Sequence, residues 1–235
     1  MERDIPAKDQ SIPDIVIRRL PIYRRGLRHL LQQGRLTISS NDLANEIGVT
    51  AAQIRRDLSY FGRFGKQGKG YDVPTLVDAV QQILKIDRRW DVGLAGFGHL
   101  GQAIADYRGF EPSSFRIAAI FDRSPDLIGQ CTDHGVVVRS EADIVSVVRS
   151  QGIRMGIVAV PADQAQEVTD KLLEGGVEAL LNYAPVTLRV PDGVWVREID
   201  PISLMQSMTY YLDDDEADDA LPADSADQMA EVAGS

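Results

Sequence analysis

The residues best suited to chemistry are the glycines of Leu94-Ala95-Gly96-Phe97-Gly98-His99-Leu100-Gly101, spaced G-x-G-x-x-G. Glycine at 96 permits a tight turn, at 98 it lets the backbone approach a pyrophosphate, and at 101 it lets a following helix pack closely on the strand. Phosphates held there face a helix N-terminus, where unpaired N–H groups and the helix dipole favour anions. The flanks agree, because Trp90 to Ala95 reads as a buried strand and Leu100, Ala103, Ile104 and Tyr107 recur at helical spacing. Phe115 to Phe121 is a second apolar run. It ends in Asp122, 21 residues after Gly101, where an acid holds the ribose hydroxyls of NAD and repels a 2′-phosphate. Arg123 is the one neighbour that argues for NADP. The cofactor-binding candidates here are Gly96, Phe97, Gly98, His99, Leu100, Gly101 and Asp122.

A second group of residues suits nucleic acid. Residues 18–69 hold 11 Lys or Arg against 3 Asp or Glu, a local charge of +8, although the whole chain is at −10. Such a basic segment is the footprint of a polyanion-binding surface. Within it, Ala51, Ile54, Leu58 and Phe61 mark the buried side of a short helix, while Ala52, Arg55, Arg56 and Ser59 line the other side, with Tyr60 near its edge. With Gln53, that side can enter a major groove and reach base edges and phosphates. Gly62 to Tyr71 follows, with four glycines and three basic residues, and reads as a β-hairpin wing that brings Lys66 and Lys69 to phosphates or a minor groove. The DNA-binding candidates are Gln53, Arg55, Arg56, Ser59, Tyr60, Lys66 and Lys69.

The elements that must position these residues follow from pattern and punctuation. Residues 1–12 are mixed, polar and expected to be mobile. A helix from Asp14 to about Gln33 shows Ile17, Leu20, Leu27, Leu30 and Leu31 as its stripe, with a kink or restart expected at Pro21 and a stop at Gly34. Ser39-Ser40 caps a second helix through Ile47, and Thr50 caps the third, a helix-turn-helix pattern. Val73-Pro74 starts a fourth helix, and a domain boundary falls near residue 86. The chain thus divides into a winged helix-turn-helix domain over 1–85 and a nucleotide-binding domain over 86–200. A C-terminal helix over 201–212 and an acidic tail over 213–235, expected to be disordered, complete it.

Beyond Asp122, strands at Gly135 to Val138 and Met155 to Val160 alternate with helices at Glu141 to Ser150 and Ala162 to Leu173. Continuous apolar strands between helices indicate an α/β fold with a doubly wound parallel sheet. Val160-Pro161 and Asn182 fall at the C-terminal ends of later strands, where ligands bind in open α/β sheets, and are candidates for the nicotinamide end of the pocket. Val186 to Val190 and Val194 to Ile199 read as a closing pair of strands. Ser203 to Leu212 is a short helix, apolar on most of its circumference, followed by a tail with nine acids and no Lys or Arg. A helix that short needs packing, and the tail cannot supply a core, so a partner subunit is expected to cover it.

Composition excludes several classes. There is no run of 18 apolar residues and the N-terminus is charged, so neither a membrane span nor a signal peptide is expected and the reading is cytoplasmic. Cys131 stands alone, which excludes an internal disulfide and a Cys-based zinc site, and no metal is expected.

These residues resemble those of the Rex family of bacterial redox-sensing repressors. The resemblance rests on Arg55-Arg56-Asp57-Leu58-Ser59-Tyr60-Phe61-Gly62 with Gly68-Lys69-Gly70-Tyr71, on Gly96 to Gly101, on Ala105-Asp106-Tyr107 with Gly109-Phe110, and on Leu181-Asn182-Tyr183-Ala184-Pro185. It spans about residues 14–212. The resemblance implies a winged helix that binds a palindromic operator as a homodimer and a Rossmann domain that binds NADH or NAD. It also implies a last helix exchanged between subunits, and release of DNA by NADH but not by NAD. It further implies that Arg25, Tyr107 and Asp200 couple the two domains across the dimer. The chain departs from the family at Pro201, where a hydrophobic residue is common, at Ser124, where many members have a second acid, and in its acidic tail.

The competing class is an NAD-dependent dehydrogenase or reductase, since the same glycine loop serves hydride transfer. Against it, no Tyr is followed four residues later by Lys, and His29, His99 and His134 are poorly placed for proton transfer. The residues between Asp91 and Asp200 are used up by the dinucleotide fold, which leaves no substrate domain. A CoA- or nucleotide-binding module fused to an interaction domain stays open.

Overall fold

The computed structural model describes residues 12–66 and 70–212. The N-terminal segment, Lys69 and the acidic tail lie outside the described residues, so the expectations for them have no counterpart here.

The first part of the chain folds as α1 (Asp14–Gln32), β1 (Thr37–Ile38), α2 (Ser40–Ile47), α3 (Ala51–Ser59), β2 (Gly65–Lys66), β3 (Gly70–Asp72) and α4 (Val73–Ile83). Val16, Leu20, Tyr23, Leu27 and Leu30 alternate at spacings of four and three, and they form the face of α1 that packs on Leu43, Ile54, Leu58, Leu76 and Val80. Leu31 falls off that face and is exposed, contrary to its expected place in the stripe. The helix runs unbroken through Pro21, which lies on the exposed side, so its missing N–H removes one bond without ending a helix held by packing on both sides of it. β3 is the centre of a three-stranded antiparallel sheet ordered β1-β3-β2, which makes β2 and β3 the wing. Gly70 has a φ of 71°, and a Cβ there would stand 2.4 Å from the Ile38 carbonyl oxygen, so the wing crosses β1 only where the side chain is absent.

The second part is an α/β unit of β4 (Trp90–Ala95), α5 (His99–Ala105), β5 (Phe115–Asp122), β6 (Val138–Ser140), α6 (Ile144–Gln151), β7 (Met155–Val158), α7 (Ala162–Gly175), β8 (Ala179–Asn182) and β9 (Trp195–Glu198). The strands are ordered β6-β5-β4-β7-β8-β9 and all neighbouring pairs are parallel. This is the doubly wound order in which the direction of strand addition reverses between the parallel neighbours β4 and β7, where a crevice opens at the carboxyl ends of the strands. Residues 92–95 are buried in succession because a parallel strand is covered on both faces. α8 (Pro201–Thr209) follows β9.

Three expectations need correction. Val186 to Val190 is not a strand, because β9 joins the sheet parallel to β8 and parallel neighbours need a crossover, not a hairpin. That segment is the crossover, bracketed by Pro185 and Pro191, with its backbone held by Gln166: the Arg189 N–H donates to Gln166 Oε1 and Gln166 Nε2 donates to the Arg189 carbonyl. The helix after the glycine loop ends at Ala105, so Tyr107 lies beyond it. Its buried residues are Gly101, Ile104 and Ala105, while Leu100 is exposed. The third strand runs Val138–Ser140, later than the expected Gly135 to Val138, since residues 132–135 form a turn closed by the Gly135 N–H donating to the Thr132 carbonyl.

The two parts touch along one seam. Asp14, at the start of α1, pairs with Arg197 of β9 and with Arg18 at 2.7 Å. Beside this pair lies an apolar groove of about 510 Å³ between Ile12 and Ile17 on one side and Val92, Phe115, Met155, Leu181 and Trp195 on the other.

Candidate functional site

The sheet brings the cofactor candidates to one edge. Ala95 is in register with Phe121 and Val158, and Val158 with Asn182, so Gly96, Asp122, Val160-Pro161 and Asn182 all lie at the carboxyl ends of adjacent strands. Gly96 has a φ of 97°, and a Cβ there would stand 2.4 Å from the Ala159 carbonyl oxygen. A Cβ on Gly101 would stand 2.0 Å from the Gly96 carbonyl oxygen, so α5 can pack on the turn only through glycine. Gly98 is different, because its φ of −67° suits any residue and a Cβ there would meet nothing within 4 Å. The protein itself explains Gly96 and Gly101. Gly98 keeps clear the space above the loop, at the N-terminus of α5, where a phosphate would lie.

Around this cradle, His99 and Leu100 are exposed, while the Phe97 ring is buried and contributes only its backbone. The Phe97 N–H donates to Asp122 Oδ2 at 2.7 Å and the Ser124 N–H donates to Asp122 Oδ1 at 2.8 Å. Asp122 therefore ties the end of β5 to the glycine loop and retains lone pairs for further donors, a dual role that spacing alone did not reveal. Val160 flanks Gly96, and Pro161 is the N-cap of α7. Asn182 reaches the same edge, but its side chain is buried and committed locally. Its Nδ2 donates to the Val186 carbonyl at 2.8 Å and its Oδ1 accepts from the Ala184 N–H at 2.9 Å, so both ends of the amide help to shape the strand end.

The nucleic-acid candidates gather on α3 and the wing. Thr50 Oγ1 accepts from the Gln53 N–H at 3.2 Å, and Gly48 turns α2 into α3 with a φ of 70°. Arg55 and Arg56 are exposed, with Arg55 Nη1 donating to Ser40 Oγ at 2.8 Å. Arg55, Ser59, Arg63 and Phe64 line a groove of about 480 Å³ between α3 and the wing. Ser59 Oγ donates to the Arg56 carbonyl, and Tyr60 is half-buried against the core. Lys66 is on β2 in register with Gly70.

One residue of α3 was passed over. Asp57 is fully buried and accepts from Arg19 Nε at 2.6 Å, Arg19 Nη2 at 2.9 Å, Tyr23 Oη at 2.5 Å and Gln53 Nε2 at 2.6 Å. Burial pushes its carboxyl up, but hydrogen bonds from Arg19, Tyr23 and Gln53 outweigh that and hold it below the usual carboxylate range. Burial and the Asp57 contact raise the Tyr23 hydroxyl. The signal was present in the sequence, since a charged residue three after Ile54 and four before Phe61 falls on the apolar stripe and demands a buried cation from a neighbouring helix.

The coupling candidates are not brought together within the chain. Arg25 is exposed on α1, and Tyr107 is exposed with its ring edge-on to Phe110 at 5.5 Å, beside a cleft of about 880 Å³ that includes Arg108, His134 and Arg139. Asp200 caps α8, accepting from the N–H groups of Ile202 at 3.0 Å and Ser203 at 3.2 Å and from Ser203 Oγ. α8 buries no residue, and Ile202, Leu204, Met205, Met208, Tyr210, Tyr211 and Leu212 are between 61% and 85% exposed. Among the described residues, nothing covers its apolar side.

Comparison with known proteins agrees with this division. A family model described as "Putative DNA-binding protein N-terminus" matches residues 11–59, and one described as "CoA binding domain" matches residues 87–186. The chain is 56% identical over 200 residues to the redox-sensing transcriptional repressor Rex of Roseiflexus sp. (strain RS-1), covering 85% of this chain and 90% of the relative. It is 51% identical over 213 residues to that of Chloroflexus aurantiacus (strain ATCC 29366 / DSM 635 / J-10-fl), covering 90% and 97%. Among solved structures, RSP, a Rex-family repressor, in complex with β-NAD+ and operator DNA superposes with a TM-score of 0.83 at 38% identity, covering 88% of this chain and 95% of that one. RSP in complex with β-NADH superposes with a TM-score of 0.79 at 36% identity, covering 88% and 97%. The chain belongs to the family of redox-sensing transcriptional repressors named Rex.

Proposed function

We propose that this protein represses transcription by binding operator DNA as a homodimer, and that NADH, held in the glycine cradle, releases it. The observation that carries the reading is Gly98, the one glycine of the loop whose side chain would clash with nothing in the protein. The loop backbone from Gly96 to Gly101 receives the pyrophosphate, Asp122 receives the ribose with its remaining lone pairs, and Val160 and Pro161 flank the nicotinamide end. When bound, NADH supplies the redox signal, since its nicotinamide carries the hydride that NAD lacks. Arg55 and Arg56 of α3 enter a major groove, while the wing, with Lys66 and Lys69, runs along the phosphates. We place the protein in the cytoplasm, where operator and nucleotide meet. Among the described residues, no helix is long and apolar enough to cross a membrane.

The dimer reading rests on two surfaces of complementary chemistry: the exposed apolar α8 and the apolar groove between α1 and the sheet. α8 of a second copy fits between the partner's DNA-binding and nucleotide-binding parts, so a shift of the sheet is felt by α1 and hence by α3. Asp200, at the start of α8, would then exchange its cap for Arg25 in one state and Tyr107 in the other.

Gly98→Ala tests the cradle. Calorimetry is expected to show NADH affinity at least tenfold weaker, with operator affinity kept and thermal stability changed by less than about 1 kcal/mol. Unchanged NADH affinity would remove the cradle from the account.

A further inference from the structure

We infer that Gln53 reads its base with the carbonyl end of its amide, and that buried Asp57 is the positioning residue that fixes this polarity. The inference rests on the proposed docking of α3 in a major groove. An ionised carboxylate offers only acceptors, so the end of an amide that faces it must be the NH₂ end. Gln53 Nε2 donates to Asp57 Oδ1 at 2.6 Å, and a flipped amide would set oxygen against oxygen. Asp57 has no freedom to retreat, since Arg19 and Tyr23 hold it at distances of 2.5–2.9 Å from α1 in a fully buried position. Among the described residues no donor meets Gln53 Oε1, and the residue is only half-buried. Gln53 is also in the first turn of α3, the part of a recognition helix that reaches base edges.

An unrestrained glutamine can present either end of its amide. A held one presents an acceptor, which matches the exocyclic amine of adenine or cytosine and opposes the O6 of guanine and the O4 of thymine. A second N–H on Nε2 still allows the two-bond contact with adenine, so the restraint selects against guanine and thymine without excluding that pair.

The test is a panel of duplexes carrying each base, and analogues lacking the exocyclic amine, across one half-site. Binding would be measured for wild type, Gln53→Ala, Asp57→Asn and Arg55→Ala in the full chain. For wild type, one position should favour an amine-bearing base, and deleting that amine should weaken binding about fivefold, the loss of roughly one hydrogen bond. Gln53→Ala should be indifferent to the deletion. In Asp57→Asn, an amide that keeps its oxygen in the Oδ2 position, where Arg19 Nε and Tyr23 Oη both donate, gives up the Arg19 Nη2 bond and sets its NH₂ in the Oδ1 position toward Gln53, so Gln53 flips and the preference should move to guanine or thymine at that same position. A merely structural Asp57 would lower affinity evenly and move no preference. If Asp57→Asn does not fold, the amine deletion compared between wild type and Gln53→Ala still decides. The inference is overturned if Gln53→Ala changes no base preference while Arg55→Ala does, or if the Gln53-dependent position prefers guanine or thymine in wild type. If neither variant alters any preference, it is the docking of α3 that fails.

Discussion

α3 and α8 are both nine residues long, and they meet opposite fates in this chain. Each is too short to persist alone in water, where helices below about 12 residues are marginal. α3 is anchored by Ile54 and Leu58 in the core and by the buried carboxylate of Asp57, which draws donors from α1 and from its own first turn. α8 has its own N-cap, Asp200, to which the Ser203 hydroxyl also donates, but no buried side chain. A recognition helix has to keep one orientation to read bases, so its anchorage is internal. In the proposed dimer, a helix that joins two subunits has to leave its apolar side for the partner, so the anchorage of α8 would lie outside the chain.

The comparison is broken most completely by removing α8. A chain ending at Ile199 is expected to be monomeric by sedimentation and to lose operator affinity, since full burial of each Leu or Met of α8 contributes about 1.5–3 kcal/mol to the dimer. A truncated chain that remains a dimer would mean that α8 is not the joint. Next in size is Asp57→Ala, which leaves the Arg19 guanidinium without its carboxylate. Denaturant titration should show the DNA-binding part destabilised by about 3–5 kcal/mol, with the nucleotide-binding part unfolding at its original midpoint. The smallest effect is that of acid. The Asp57 carboxyl is held below its ordinary range when folded, so its contribution is present above the unfolded value of about 4 and is lost as the pH falls through the lowered one. Acid unfolding followed at Tyr23 should lose this slope in Asp57→Asn. An unaltered slope would assign the acid sensitivity to other carboxylates.

Much of this was legible from residue types. Gly96 to Gly101 and the alternation of apolar runs with helical stripes located the cradle and the parallel sheet, because turn geometry and burial on both faces leave a strong local imprint. The caps at Ser39 and Thr50 were visible for the same reason. What escaped depends on partners distant in sequence. The place of Asp57 on the apolar stripe signals that it is buried, but its partner emerges only when α1 is packed across it, 38 residues away at Arg19. Asn182 and Gln166 likewise serve a crossover whose path is dictated by the parallel join of β9, and a pattern of two apolar runs cannot tell a crossover from a hairpin.

The central claim is that cradle and recognition helix share one switch, and linkage makes it measurable. If NADH lowers operator affinity by a given factor, saturating operator must lower NADH affinity by that same factor. Calorimetric titration of NADH into the full chain, free and operator-bound, at constant salt, measures this directly. The account predicts weaker NADH binding to the DNA complex, by the factor found when NADH weakens the operator complex, and a much smaller effect with NAD. Equal NADH affinity for the free and the operator-bound protein would contradict it.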